Sequence, residues 1–311
     1  MAISLIKFPL NSSLELLNFK EKIDYVRESQ NIKNPFMDLN LLLACLDTIG
    51  SEEAYLVFFQ VENTPTDFII LKNSQGNLFR PPIPPEFPHF YTVSLFEKAP
   101  AEIIDLLKLE FGEILITNLL IKKGEPEYFK NHLPSISVTT RNYIKLKVPE
   151  DFERWVYKVK PKNQEKFSKI LKDLVKGRID VMSISDPFDV QQKVESALSK
   201  TIDLPLLSKN LIVTMLLELQ TVGFNFNYYS FKMEEWEIGA MLSLNYFNTL
   251  FIIFQWTFYE NPKYDIEELL AFAMLKEASI NKVNELIILK DLKLKTIPNE
   301  PINICDLYFS K

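Results

Sequence analysis

The segment from Asn225 to Lys290 constrains the fold of this 311-residue chain more than any other. Its apolar and turn residues predict three long strands, a turn, one helix and one more strand, in that order. Strands followed by a helix and a further strand are typical of a mixed sheet covered by helices. The segment therefore predicts an α/β (α+β) fold.

The turn between the third strand and the helix has an unusual composition. Tyr259–Asp265 contains no glycine, and the helix predicted over Asp265–Ile280 begins with Asp265, Glu267 and Glu268. A helix N-terminus binds phosphate through its free N–H groups. Glycine lets the phosphate approach the backbone, whereas nearby carboxylates repel the phosphate. The spacing of Asp265 and Glu268 is instead typical of a capping pair. The architecture favours an anionic ligand at this turn, whereas the residues oppose one.

Composition excludes several classes of function. The net charge is −6 and the pI about 5.3, so we expect no DNA partner. The 2 cysteines and 2 histidines form no metal-binding motif, so we expect no metal. The most apolar windows are too short to span a bilayer, and the N-terminal residues do not resemble a secretory signal. The sequence therefore predicts a cytoplasmic protein without a membrane span.

The first half of the chain alternates predicted helices and strands. The predicted helices are Leu14–Arg27, Asp38–Ile49, Pro100–Phe111 and Pro126–His132. The predicted strands are Ala54–Val61, Thr66–Lys72, Phe90–Leu95, Glu113–Leu120 and Ser135–Thr140. The proline-rich stretch Phe79–Pro88 is either a ligand for a proline-recognising domain or a rigid ordered loop, and we favour the loop.

The pattern begins again in the second half, after an extended link over Arg141–Val148. The predicted helices are Asp151–Val159, Pro161–Lys176, Asp186–Ser199, Pro205–Val222 and Asp265–Ile280. The predicted strands are Arg178–Ser183, Phe224–Met233, Trp236–Asn245, Thr249–Tyr259, Glu285–Lys290 and Ile302–Phe309. This repetition predicts two domains, 1–142 and 143–311.

Five segments of the second half resemble one known superfamily. Tyr143–Lys147, the helix Asp151–Val159 and the lysine-rich Lys160–Lys176 are similar to the entry of the second domain in FemAB-like and CelD/BcsL-type proteins, which are double-domain members of the GNAT N-acetyltransferase fold. Ile179–Met182 and Phe224–Lys290 match the strands and helix that follow there. The resemblance implies two tandem acyl-CoA N-acyltransferase-like domains, each a mixed sheet flanked by helices, with a degenerate first domain.

The resemblance also implies a cofactor and an activity. Acetyl-CoA or another acyl-CoA would lie against the third strand and the start of the following helix. The expected cofactor-binding residues are Phe258, Asn261, Lys263 and Tyr264. The expected reaction transfers an acyl or aminoacyl group to an amine or hydroxyl of a small-molecule, peptide or glycan acceptor.

Two residues are candidates for proton transfer. Tyr259 lies at a predicted strand end and is a candidate general acid for a leaving thiolate, with core packing as the favoured alternative. Glu218 is a candidate general base if burial raises its pKa, with a half-exposed helix position as the alternative.

Five residues are candidates for substrate binding. Tyr228, Tyr229 and Gln255 could line a groove, or pack in the core. Lys166 and Lys169 belong to the lysine face of a helix, which either binds an anionic ligand or is solvated.

Two interpretations remain open at the level of sequence. In the first, the protein is an acyltransferase. In the second, it is a degenerate member of the fold that has lost its cofactor and acts as a binding or assembly module, for example as a homodimer. The missing glycines and the acidic helix start motivate the second interpretation.

Overall fold

A computed structural model describes residues 2–84, 86–121, 129, 136–159, 161–201, 204–260 and 263–310. The chain forms two compact units of mixed α/β structure. The first unit comprises Met1–Arg141, Thr214–Val222 and Ile302–Lys311, and the second comprises Asn142–Val213 and Gly223–Pro301. The boundary predicted between 142 and 143 stays a prediction.

The strands and helices are numbered along the described part of the chain. The strands are β1 (Ile3–Leu10), β2 (Ala54–Val61), β3 (Thr64–Asn73), β4 (Leu78–Arg80), β5 (Glu113–Leu120), β6 (Ser137–Lys147), β7 (Ile179–Ile184), β8 (Phe226–Met233), β9 (Trp236–Tyr246), β10 (Thr249–Thr257), β11 (Glu285–Ile288) and β12 (Glu300–Phe309). The α-helices are α1 (Lys20–Ser29), α2 (Leu39–Ile49), α3 (Ser94–Lys98), α4 (Pro100–Phe111), α5 (Phe152–Lys158), α6 (Pro161–Val175), α7 (Pro187–Ser199), α8 (Leu206–Thr221) and α9 (Ile266–Ile280).

The two units have the same strand order. In the first unit the order is β1-β2-β3-β4-β5-β12, and in the second it is β7-β8-β9-β10-β11-β6. Every pair within each unit is antiparallel except β4 with β5 and β10 with β11, which are parallel. The predicted fold class, with a mixed sheet and flanking helices in each half, is therefore confirmed.

One predicted strand is wrong. Tyr91 forms only an isolated bridge with Leu119, and the chain then enters α3 instead of a strand over Phe90–Leu95. The reason is the buried carboxylate of Asp67, which accepts the N–H groups of Ser94 at 2.9 Å and Leu95 at 3.0 Å and the Ser94 hydroxyl at 2.8 Å. An acceptor at a helix start favours the helix, and this one comes from a distant strand.

Smaller differences concern element bounds. Leu14–Arg27 was predicted as one helix but is a 3-10 segment over Ser13–Phe19 followed by α1. The predicted strand Ser135–Thr140 and the extended link after it form the single strand β6 from Ser137 onward. The predicted helix Pro126–His132 falls outside the described residues, apart from Phe129.

Helix α9 forms the centre of the second unit's core. Its Phe272 contacts the rings of Phe152 on α5 and Phe167 on α6, with ring centroids 5.0 Å and 4.9 Å away. On the sheet side, a Cβ at Gly239 of β9 would lie 2.9 Å from a Leu270 methyl carbon and 2.8 Å from a backbone oxygen of β10. The absence of a side chain at Gly239 therefore lets α9 pack closely on the sheet.

The Asp67 contact predicts a graded effect on stability. Asp67→Ala leaves three donors near the start of α3 without their acceptor, and we expect a loss of about 3 kcal/mol in the free energy of unfolding. Asp67→Asn keeps one acceptor oxygen but turns an amide N–H₂ toward at least one donor. Since burial raises the pKa of the Asp67 carboxyl group and so disfavours the charge that is removed, we expect a smaller loss, of about 1 kcal/mol. Urea denaturation measures both variants, and equal losses would contradict the assignment.

Candidate functional site

The parallel pairing of β10 with β11 covers only the first part of β10. Thr249–Ile252 pairs with Glu285–Ile288, and the last link is the Leu289 N–H donating to the Ile252 carbonyl at 3.0 Å. Beyond that point β10 continues to Thr257 and stays paired with β9 on its other side. Among the described strands, the later half of β10 therefore has one open backbone edge.

A pocket of about 600 Å³ lies beside this open edge, and we call it the β10 pocket. Its wall is formed by β10, the residues after it and the first turn of α9, with further residues from the end of α7 and from the segment after β11. The lining residues are Lys200, Thr201, Gln255, Trp256, Thr257, Phe258, Glu260, Tyr264, Asp265, Ile266, Glu267 and Lys290. Two predicted cofactor residues, Phe258 and Tyr264, and one predicted substrate residue, Gln255, are thus brought together.

Gln255 is the most unusual residue of the β10 pocket. The residue is only 9% exposed. Neither its Nε2 nor its Oε1 has a hydrogen-bond partner within the described part of the chain. Buried amides are normally paired, so this one marks a position that differs from ordinary core.

The charges of the β10 pocket nearly cancel. Lys200 lies 3.2 Å from the Glu237 carboxylate and 4.3 Å from the ring centroid of Phe258. Lys290 pairs with Glu267 at 2.9 Å. The lining thus contains two lysines, each with a carboxylate partner, and three carboxylates, Glu260, Asp265 and Glu267. The pocket is therefore not a strongly cationic site.

Only one half of the predicted capping pair, Asp265, caps the first turn of α9. Asp265 Oδ1 accepts the Glu268 N–H at 3.3 Å, as expected. The Glu268 carboxylate, however, turns away from the helix start and binds a loop. Its Oε1 accepts the N–H groups of Lys295 at 2.6 Å and Thr296 at 2.8 Å. Its Oε2 accepts the Thr296 hydroxyl at 2.8 Å and forms an ion pair with Lys166. Glu268 therefore holds together α9, α6 and the loop after β11.

Electrostatics agrees with this structural role for Glu268. Burial alone would raise the pKa of its carboxyl group, but the hydrogen bonds from Lys166 and Thr296 outweigh burial and hold the pKa below its usual value. The ionised form is thus bound in the folded state. The stabilisation is present above the usual glutamate pKa and is lost as the pH falls through the lowered one.

Two neighbouring glutamates provide a matched test. Glu268 is 2% exposed, so Glu268→Gln, which removes the charge and places an amide N–H₂ against other donors, should cost about 2 kcal/mol in unfolding free energy. Glu267, whose side chain is 40% exposed, forms a surface pair with Lys290, and Glu267→Gln should cost about 0.5 kcal/mol or less. Chemical denaturation at pH 7 checks both, and similar losses at the two positions would contradict this assignment.

A second buried carboxylate fixes the residues just before α9. Asp173 of α6 accepts the Tyr264 hydroxyl, pairs with Lys263 at 3.1 Å and is 3.2 Å from Arg178. The Tyr264 hydrogen bond is the largest cause that lowers the Asp173 pKa, whereas burial and Asp173 raise the pKa of Tyr264. The predicted cofactor residues Lys263 and Tyr264 are thus anchored to α6, and the predicted residue Asn261 lies outside the described residues.

The lysine face of α6 borders a separate pocket of about 490 Å³. Its lining consists of Lys162, Glu165, Lys166, Lys169, Lys263, Tyr264 and Asp265. Lys166 is bound to Glu268, and Lys169 lies 5.6 Å from the ring centroid of Tyr264. Tyr264 and Asp265 also line the β10 pocket, so the two pockets share one wall.

The remaining sequence-predicted residues occupy other positions. Tyr259 is 52% exposed, packs edge-on against Trp236 at 5.8 Å and lines a third pocket with Lys263. Tyr228 and Tyr229 are buried in β8. Glu218 is a half-buried residue of α8 and groups with the first unit.

Glu237, a half-buried carboxylate of β9, is a polar residue of the second unit that the sequence analysis did not select. It accepts the Ser230 hydroxyl at 2.7 Å and the Lys200 ammonium at 3.2 Å. Burial first, and then the Glu237 carboxylate, raise the pKa of Tyr228. The pairing of β8 with β9 brings Ser230, Tyr228 and Glu237 together. The charged Glu237 within the otherwise apolar β9 is the feature of the sequence that could have indicated this polar cluster.

His89, which follows the proline-rich stretch, is a buried neutral group of the first unit. Its Nδ1 is 2.6 Å from the Phe87 carbonyl oxygen, and its Nε2 is 3.3 Å from the Asn118 amide nitrogen. Burial lowers its pKa to about 4. These contacts show that His89 packs in the core of the first unit.

The lowered pKa predicts a pH dependence of stability. The unfolded chain binds a proton at His89 near pH 6.5, whereas the folded chain does so only near pH 4. The free energy of unfolding should therefore fall by about 3 kcal/mol between these values from this group alone. His89→Gln should flatten that part of the pH profile and leave the slope above pH 7 unchanged. An unchanged slope between pH 6.5 and 4 would contradict the prediction.

The described residues contain neither a metal-binding cluster nor a membrane-spanning helix. No group of three or more histidine, cysteine, aspartate or glutamate side chains is arranged there to hold a metal ion. No helix in the same ranges combines the length and apolar character needed to cross a membrane.

Comparison with known proteins identifies the fold. No protein-family model matches the sequence, and no curated protein matches it. Among solved structures, the chain is similar to a tandem GNAT protein from the clavulanic acid biosynthesis pathway, solved without AcCoA, at 9% identity and a TM-score of 0.58 over 99% of this chain and 98% of that chain. It is also similar to FemX, at 8% identity and a TM-score of 0.55 over 98% of this chain and 97% of that chain.

A third similar structure is a conserved protein of unknown function from Bacteroides thetaiotaomicron. It shares 7% identity and a TM-score of 0.52 over 99% of this chain and 100% of that chain. At these identities the similarity concerns the fold alone. The chain has a double-domain, GNAT-type fold, and the resemblance recognised in the sequence is confirmed at that level.

Proposed function

We propose that the protein is an acyl-CoA-dependent acyltransferase whose donor binds in the β10 pocket. The observation that carries the proposal is the open edge of β10 beside that pocket, next to the first turn of α9. An open strand edge offers alternating N–H and C=O groups to an extended ligand. The arm of CoA contains two amides and would satisfy that edge.

The phosphates of the donor require positive groups that the turn itself does not provide. Asp265 and Glu267 stand at the helix start, and the sequence around them has no glycine. Lys200 and Lys290 line the β10 pocket, and the lysine-lined pocket shares the Tyr264 wall with it. We therefore assign the phosphate contacts to lysine side chains, Lys169 among them, instead of backbone N–H groups, whereas Lys166 is bound to Glu268.

The reaction itself needs little beyond positioning. The nitrogen or oxygen of the acceptor would attack the thioester carbonyl carbon, the C–S bond would break, and the acceptor's proton would finally reach the leaving thiolate. The roles of Tyr259 as proton donor, Glu218 as base and Tyr228 and Tyr229 as substrate contacts stay predictions from the sequence, since Tyr259 lines a pocket other than the β10 pocket and Glu218 belongs to the first unit. The acceptor class is a small molecule, peptide or glycan, and the proposed location is the cytoplasm.

Ligand-dependent stability tests donor binding. At a tenfold excess of acetyl-CoA over its Kd, we expect a gain of about 1.4 kcal/mol in unfolding free energy, measured as a thermal shift at millimolar ligand. Thr257→Trp fills the β10 pocket and should abolish the shift. Asn245→Trp places the same side chain on an exposed position of β9 and should leave the shift intact.

Two outcomes would contradict this proposal. The first is no shift with acetyl-CoA, longer acyl-CoAs or free CoA in the wild-type protein. The second is an equal shift in the Thr257→Trp variant, since the ligand would then bind elsewhere.

The second candidate function is a binding or assembly module without cofactor. The observations that favour it are the acidic, glycine-free start of α9 and the exposed aromatic pair Trp236 and Tyr259. It predicts a partner or a homodimer that covers this pair. Sedimentation that shows a monomer, together with measurable acyl transfer, would exclude this candidate.

A further inference from the structure

A pocket of about 450 Å³ lies at the start of α5, and we call it the α5 pocket. It is lined by the end of β6, one face of α5, Leu275 of α9 and Pro298 of the loop after β11. None of these described residues lines the β10 pocket or the lysine-lined pocket. At about 1.5 Å per residue, Leu275 lies about 14 Å along α9 from Ile266, which borders the β10 pocket. The α5 pocket is therefore a separate site.

Three cationic side chains from two elements line the α5 pocket. Lys147 ends β6, and Arg154 and Lys158 lie one turn apart on α5. All three are exposed, and none forms an ion pair within the described part of the chain. Glu285, which is opposite Lys147 in the sheet, is paired with Lys145 instead. Like charges four residues apart on a helix repel each other, so an anion bound between these cations would relieve an unfavourable arrangement.

The two carboxylates of the α5 pocket do not neutralise these cations. Asp151 caps α5, since its Oδ1 accepts the Arg154 N–H at 2.9 Å. Glu150 is exposed and forms no ion pair with any described residue. An ionised carboxylate accepts hydrogen bonds and therefore binds hydroxyl groups. The pocket thus presents acceptors for hydroxyls beside donors for an anion.

A fixed aromatic side chain forms the apolar part of the lining. Trp155 is half-buried, and its indole stacks on Phe167 with ring centroids 5.6 Å apart and an angle of 20° between the planes. The rings of Phe152 and Phe272 also lie against it. Trp155 lines the pocket together with Leu275. Because these contacts hold the wall in place without a ligand, little side-chain freedom is lost on binding.

The three kinds of lining limit the class of ligand. An anionic group must meet the cations, hydroxyls must meet the carboxylates, and an apolar ring must meet the wall at Trp155. A sugar phosphate lacks the ring, and an aromatic carboxylate lacks the hydroxyls. A nucleoside monophosphate contains all three groups, since its phosphate carries almost two negative charges at pH 7 and its ribose joins that phosphate to a flat base.

We propose that the α5 pocket binds a nucleoside monophosphate, with the phosphate at the three cations, the ribose hydroxyls at the carboxylates and the base against Trp155. Arg154 binds the phosphate as a planar fork, whereas Lys147 and Lys158 act as point charges. This site does not depend on the proposed acyl donor.

Isothermal titration of the full chain at pH 7 tests the site with the monophosphates of adenosine, guanosine, cytidine and uridine. We expect at least one nucleotide to bind with a Kd below about 1 mM and roughly tenfold more tightly than its nucleoside, which corresponds to about 1.4 kcal/mol. Inorganic phosphate should also bind roughly tenfold more weakly than that nucleotide, because it reaches neither the carboxylates nor the apolar wall.

The variant Lys158→Gln removes one cation of the α5 pocket. It should weaken binding of that nucleotide roughly fivefold. Without ligand, its urea midpoint should equal or exceed that of the wild type, because the repulsion from Arg154 is lost. Lys193→Gln is the control: it removes the same charge at an exposed position of α7 and should keep the wild-type affinity.

A third variant distinguishes the α5 pocket from the β10 pocket, because the proposed acyl donor also contains a nucleotide. Thr257→Trp fills the β10 pocket and should leave binding of the nucleoside monophosphate unchanged. Loss of nucleotide binding in this variant would place the nucleotide in the β10 pocket and overturn the inference.

Other outcomes would also overturn the inference. The first is that none of the nucleotides binds at millimolar concentration. The second is equal weakening by Lys158→Gln and Lys193→Gln, which would indicate a general effect of charge. The third is equal affinity for inorganic phosphate, which would indicate a simple anion site. The fourth is binding of a single-stranded RNA oligonucleotide without binding of any mononucleotide, which would indicate a nucleic-acid surface.

Discussion

The arrangement of the second unit depends on the buried carboxylate of Glu268. It joins three segments that are far apart in sequence: α9 through its own backbone, α6 through Lys166, and the loop after β11 through Lys295 and Thr296. Asp173 makes a parallel connection from α6 to Tyr264. Charge-assisted hydrogen bonds of this kind are stronger than neutral ones, so these two carboxylates fix the start of α9, and with it one wall of the β10 pocket.

This use of carboxylates changes the meaning of the acidic helix start. Counted along the sequence, Asp265, Glu267 and Glu268 would repel an anion from the N-terminus of α9. In the structure, Glu268 is directed into the protein and Glu267 is paired with Lys290. Asp265 alone remains as a cap. The local repulsion is therefore smaller than the sequence implies, although the pocket has no surplus of positive charge to attract a phosphate.

Local patterns predicted most of the fold. The strands β2 and β5 and the helix α4 have the predicted bounds, because apolar periodicity is a local signal and because Pro100 and Gly112 mark the ends of α4. Helix α3 could not be predicted, since its start is set by Asp67, 27 residues earlier on another strand.

The candidate site was predictable only in part. Gln255 and Phe258 could be chosen because both lie in the predicted strand Thr249–Tyr259, and the structure brings them to one pocket. The unpaired state of the Gln255 amide depends on what surrounds it in three dimensions, and so does the contact of Glu237 with Lys200. No spacing in the sequence encodes either feature.

The two sheets differ in when their last strand is synthesised. The first unit's sheet is completed by β12, whereas the second unit's sheet takes β6, which lies before its other strands in the chain. A ribosome therefore releases every strand of the second sheet before it has finished the first. Domains usually fold in the order in which they emerge, but here the sheet that begins earlier must wait, with the edge of β5 unprotected, until nearly the whole of these 311 residues has been made.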